Sequence, residues 1–156
     1  MDHPPIAPTI ELETGKLPWE EQIEKVLTQS STDAAKARAL FGMQPNLPPA
    51  AWERATHEAV ERTSDRDYNM VALPLLINPQ ANGEVLSILF ADLMERRPEP
   101  IQLPALLAVA RMTAHPFAEP AHDNLTHSLG QDFDTDWAAW EVAIRQHLAA
   151  GKSSAQ

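Results

Sequence analysis

The chain has 156 residues, 44% of them hydrophobic, no cysteine, and a formal charge of −10 from 22 acidic and 12 basic side chains. A chain this long can bury about 68–70% of its unfolded surface in one domain without staples, and the missing cysteines exclude disulfides, thiolate metal sites and cysteine nucleophiles together. The acidic balance, with Arg96-Arg97 as the one adjacent basic pair, argues against nucleic acid and anionic membranes, which need a basic face, and no apolar run approaches the ~20 residues of a membrane span.

Residues 1–17 hold Pro4, Pro5, Pro8 and Gly15 between isolated apolar residues, a composition expected of an extended arm. Pro18 suits a first helical position, and Trp19, Ile23, Val26 and Leu27 then share one face of a first helix. Asp33 is suited to cap a second helix that runs to about Phe41 and ends at Gly42. Pro48 or Pro49 opens a third, whose buried stripe would be Trp52, Ala55, Ala59 and Val60. A fourth spans about Asp67 to Ile77 and must kink or restart at Pro74, which lacks an N–H and crowds the preceding turn.

The fifth helix, about Glu84 to Arg96, carries Val85, Leu86, Ile88, Leu89, Phe90, Leu93 and Met94 around roughly two thirds of its circumference. The sixth, about Ile101 to Thr113, is apolar almost all round. This pair is therefore expected at the centre of the domain, with Leu103, Leu106, Leu107, Val109, Ala110 and Met112 buried. Arg111 is the one charge on the sixth helix. If its head is buried it needs a carboxylate, Asp92 on the fifth helix first and Asp132 second; the other reading is an arginine that snorkels to the surface. The seventh helix, about Phe117 to Leu129, repeats Phe117, Ala121, Leu125 and Leu129 at i+4 steps. The eighth, about Asp136 to Ala149, presents Trp137, Trp140, Ile144 and Leu148, which are expected to seal the end of the core. Residues 151–156 read as a polar tail. No segment sustains strand-like alternation. The expectation is an all-α fold of about eight helices, one helical-repeat domain over residues 18–150.

Two stretches repeat one plan. Leu73-Pro74-Leu75-Leu76 and Leu103-Pro104-Ala105-Leu106-Leu107 each open an apolar helix, followed by a turn with Asn78-Pro79 or His115-Pro116 and then a second amphipathic helix. Val85, Leu89 and Leu93 recur as Ala121, Leu125 and Leu129, a spacing within the 20–50 residues typical of stacked hairpins. Over residues 67–149 this resembles HEAT-like helical repeats, in which an interior proline bends the first helix of each hairpin. Leu103 to Gly130 is the better copy. Gly130-Gln131-Asp132-Phe133-Asp134-Thr135-Asp136-Trp137 to Trp140 is similar to the closing segment of bacterial HEAT-like arrays. The resemblance implies a short α-solenoid that presents a surface to a protein partner, without implying an activity.

Few residues point to chemistry. His115, His122, Asp123 and His127 lie within thirteen positions. Asp123 and His127 are one helical turn apart and would hold a divalent metal if a third ligand came from elsewhere; the same spacing fits a solvated helix face. Asp132-x-Asp134-x-Asp136 resembles the start of a calcium loop, but Trp137 and Ala143 stand where that loop needs glycine and glutamate, so Asp136 or Thr135 reads as a helix cap. Trp137 and Trp140 read as core. With five dispersed glycines, there is no material for a phosphate cradle.

The residues thus lead to a non-enzymatic scaffold with no cofactor. It would engage a protein or peptide, by charge a basic one, along its fifth and seventh helices. The contrasting expectation is a metal-dependent or small-molecule enzyme with a site near His115 to His127. Without a leader the default compartment is the cytoplasm; the Pro-rich arm is equally what would remain after removal of an upstream anchor.

Overall fold

The computed structural model describes residues 15–154, with side-chain surroundings through Gly151. Most of the expected N-terminal arm, residues 1–14, lies outside the described residues. Within them the fold is all-α, with no strand. No described helix is long and apolar enough to cross a membrane. The chain divides into two compact units with the boundary between Arg62 and Thr63.

The first unit contains α1 (Pro18–Leu27), α2 (Asp33–Met43), a 3-10 turn (Gln44–Asn46) and α3 (Pro49–Glu61). Pro18 and Pro49 open their helices, where a missing N–H costs nothing. α2 corrects the expected boundaries. Its cap is Thr32, whose hydroxyl accepts the Ala35 N–H at 3.1 Å, so Asp33 lies in the first turn. Gly42 is inside the helix, and the turn containing Pro45 ends it. Ile23, Ala37, Leu40, Ala51, Ala55 and Ala59 are fully buried. A polar tie crosses this core: the Gln44 amide donates to the Thr56 hydroxyl at 2.6 Å, and the Trp52 indole N–H reaches the carbonyls of Gln44 and Leu47.

The second unit contains α4 (Tyr68–Val71), α5 (Leu73–Leu76), α6 (Gly83–Arg96), α7 (Glu99–Ala110), α8 (Ala118–Leu129) and α9 (Trp137–Ser154). The expected fourth helix is broken as Pro74 requires: α4 and α5 are single turns joined at Ala72. Asn82 caps α6 by accepting the N–H groups of Glu84 and Val85. Gly130, at φ 74°, ends α8 in the left-handed conformation that glycine adopts without steric cost. Asp136 caps α9 through the Ala139 N–H at 3.1 Å, as expected.

α7 packs against α6, α8 and α9, and Leu103, Ala105, Leu106 and Val109 are at most 1% exposed. The sixth predicted helix is therefore the centre of this unit. α9 departs from expectation in two ways. It continues through Gly151 to Ser154, into the stretch read as a polar tail. Of the four sealing residues, Trp140 and Ile144 are buried, whereas Trp137 and Leu148 are only half-buried.

Candidate functional site: a groove between α7 and α9

The stripe of α7 that faces α9 is Pro104, Leu107, Ala108 and Arg111, at steps of three and four residues that place them on one side. Proline and alanine are too short to fill the space towards α9. Opposite them stand Glu141, Ile144, Arg145 and Leu148, again one face. Together the eight residues line a groove of about 440 Å³, within the ~300–1,000 Å³ of ligand-sized pockets. Its floor is apolar and its rim is charged.

Two polar side-chain contacts link the two helices. Arg111 Nη1 donates to Glu141 Oε2 at 3.3 Å, and His147 Nε2 donates to Glu99 Oε1 at 3.0 Å. Residue 111 thus pairs early in α9 and residue 99 late in it, an antiparallel order. Arg145, exposed between these links, forms no ion pair among the described residues. Val142, three residues before Arg145, is 44% exposed.

Of the two readings of Arg111, the surface one holds and the buried pairing does not. Its side chain is 46% exposed and bridges to Glu141, not to Asp92 or Asp132. Position decides this, because Arg111, the C-cap residue of α7, continues the stripe turned to α9. Asp92 belongs to a different arrangement, one the sequence did not reveal. Its carboxylate is buried and accepts from Arg97 Nε at 2.8 Å, with Arg96 Nη1 at 3.2 Å. Arg97 also donates to the Thr63 carbonyl at 2.7 Å and to Asp65 at 3.1 Å, and its guanidinium lies 4.9 Å from the ring centre of Tyr68. Burial opposes its charge, but the hydrogen bond and attraction of Asp92, joined by Asp65, raise its pKa above the ordinary arginine value. The sequence signal was Arg97 itself, immediately before Pro98, where a helix must stop.

The histidines and acids of the expected metal or catalytic site do not converge. His115 is buried; its Nε2 donates to the Leu76 carbonyl at 2.6 Å and its Nδ1 accepts the Phe117 N–H at 3.0 Å. With both ring nitrogens used by backbone, it ties α5 to the start of α8. His122 Nε2 donates to Asp132 Oδ1 at 2.8 Å, and the Asp134 N–H reaches the same oxygen at 2.8 Å. The backbone hydrogen bond, then His122, holds the Asp132 carboxyl below its ordinary range. Asp123 and His127 are exposed. Among the described residues no three His, Cys, Asp or Glu side chains are grouped to hold a metal.

Asp132, Asp134 and Asp136 have separate duties. Asp132 anchors His122, Asp134 takes φ 56° and offers its carbonyl to the Trp140 indole at 2.9 Å, and Asp136 caps α9. Phe133 and His122 meet the Trp140 ring edge to face, at 5.0 and 5.6 Å. Trp140 is thereby core, as expected.

Comparison of the chain with protein-family models, curated proteins and solved structures finds no match.

Proposed function

We propose that this chain is a non-enzymatic adaptor whose second unit, a short HEAT-like stack of hairpins, receives a segment of a partner protein. The observation that carries the reading is the α7–α9 groove: an apolar floor with a charged rim, open to an occupant. That is the form of a helix-in-groove recognition site, in which affinity comes from an apolar stripe and selectivity from flanking charges. The expected binding faces were α6 and α8; the groove moves the proposed contact to α7 and α9. The hairpin reading draws support from Pro104 inside α7, the His115-Pro116 turn, and the adjacency of α7 to α8. The dispersal of His115, His122, Asp123 and His127 favours a scaffold over a hydrolytic or metal-dependent reaction, since such chemistry needs its groups within hydrogen-bond reach of one substrate.

Affinity capture of the tagged chain from its native organism, followed by mass spectrometry, tests this. A protein enriched saturably and reproducibly is expected. Recovery of background alone, over a range of salt concentrations and with crosslinking, would overturn it.

A further inference from the structure

The groove also carries information about what it would accept, an inference that rests on the adaptor reading above. The chain as a whole is strongly acidic, at −10, which by itself selects basic partners. The rim of the groove has the opposite character: two guanidinium groups, Arg111 and Arg145, and one carboxylate, Glu141. Glu141 is engaged by Arg111, so Arg145 is the cation left to answer an incoming charge. It lies at the edge of the apolar floor, next to Ile144, and one turn from Leu148 and Val142.

We infer that the α7–α9 groove binds an acidic amphipathic helix of another protein, with its apolar side chains over Leu107, Ala108 and Ile144 and a carboxylate set against Arg145. Three observations point the same way. Pro104 and Ala108 leave depth that large apolar side chains fill. An arginine beside an apolar trough favours a carboxylate, which its planar fork binds bidentately. On this rim the two guanidinium groups outnumber the one carboxylate, so its local charge favours an acidic helix although the chain as a whole is acidic. A basic helix, by contrast, meets Arg145 as a like charge.

The test uses the full chain and a synthetic peptide of about four helical turns with leucines at i, i+3, i+4 and i+7 flanked by glutamates, read by fluorescence anisotropy. A matched peptide with lysines in place of the glutamates is the control. The acidic peptide is expected to bind more tightly than the lysine peptide. Arg145→Glu, an exposed substitution, should weaken the acidic peptide about 2–5-fold and strengthen the lysine peptide, the range of one solvent-accessible charge pair. Ala108→Trp, which fills the trough, should weaken both peptides by roughly tenfold or more, as loss of a central anchor does. Should Ala108→Trp fail to fold, the sign of the Arg145→Glu effect decides alone.

Equal or tighter binding of the lysine peptide to the wild-type chain, binding of neither peptide, or indifference to Arg145→Glu overturns the inference. So does a dimer, seen by light scattering, that Arg145→Glu dissociates, because a second copy would then be the occupant. A captured cellular partner that binds the Arg145→Glu and wild-type chains alike would leave the adaptor reading standing and place its contact on another face.

Discussion

Tyr68 is fully buried, and its hydroxyl is the one buried side-chain polar atom without a hydrogen-bond partner among the described residues. Leaving such a group dry costs about 1–3 kcal/mol. Tyr68→Phe is therefore expected to be neutral or to stabilise by about 1 kcal/mol at pH 7, measured by urea denaturation. Burial, then the Asp92 carboxylate, pushes the Tyr68 pKa well up, against the opposing influence of Arg97. The folded chain thus keeps this proton at pH values where the unfolded chain, with an ordinary tyrosine pKa near 10, has lost it. The unfolded state binds fewer protons there, so stability is intact below about pH 10 and falls as pH climbs towards the folded pKa. Tyr68→Phe should flatten that decline; an unchanged alkaline limb would show that the hydroxyl is not the group responsible. The neighbouring Asp92–Arg97 pair has the larger stake. Arg97→Ala leaves the buried Asp92 carboxylate supported only by the half-exposed Arg96, and a loss of about 3–5 kcal/mol is expected. The double substitution Arg97→Met, Asp92→Leu should cost less than that single one, because it removes both charges together.

At the scale of elements, α7 is the member on which the second unit depends. Its buried residues face α6, α8 and α9 in turn, so no single side of it is dispensable. Leu106 is fully buried, and Leu106→Ala should destabilise by about 2–5 kcal/mol, the range for a packed core leucine. A melting temperature that does not move would contradict the central placement of α7. Pro74 and Pro104 occupy similar sequence settings with different outcomes. The first ends in two single turns, whereas α7 continues past the second for six more residues. Where α7 buries nearly every residue after Pro104, packing compensates for the missing N–H; α4 and α5 have less to bury. Helix boundaries followed local chemistry closely at Pro18, Pro49 and Asp136, and missed at Thr32 and Gly42, where a neighbouring cap and a following proline took over.

At the scale of the whole molecule, the second unit ends in a helix that both closes its core and borders its groove. Trp140 contributes its full surface and an indole hydrogen bond to Asp134, and burial of one large apolar side chain is worth about 1.5–3 kcal/mol. Removing residues 134–156 exposes the faces of α7 and α8 that Trp140 and Ile144 cover. Since domains retain only ~5–15 kcal/mol in total, the truncated chain is expected to aggregate or unfold, by size-exclusion chromatography and circular dichroism. Trp140→Ala should lower stability by about 3–5 kcal/mol. A stable Trp140→Ala protein that has lost a specific partner would instead make this tryptophan part of the recognition surface.

The sequence by itself determined the all-α class, the break at Pro74, the helix starts at Pro18 and at Pro48 or Pro49, a cap for α9 at Thr135 or Asp136, and the burial of Leu103, Leu106 and Trp140. Each of these follows from local backbone chemistry or from a helical period, which a single strand of text contains. Only the tertiary structure decided which carboxylate meets which arginine. Asp92 is within reach of Arg97, Arg96 or Arg111 until the packing of α6 and α7 selects a partner. Likewise Trp137 and Leu148 carry the same periodicity as Trp140 and Ile144, yet each stays partly exposed. Periodicity assigns a side chain to a face; whether that face meets a filled core or the open groove beside Pro104 and Ala108 depends on residues about 40 positions away.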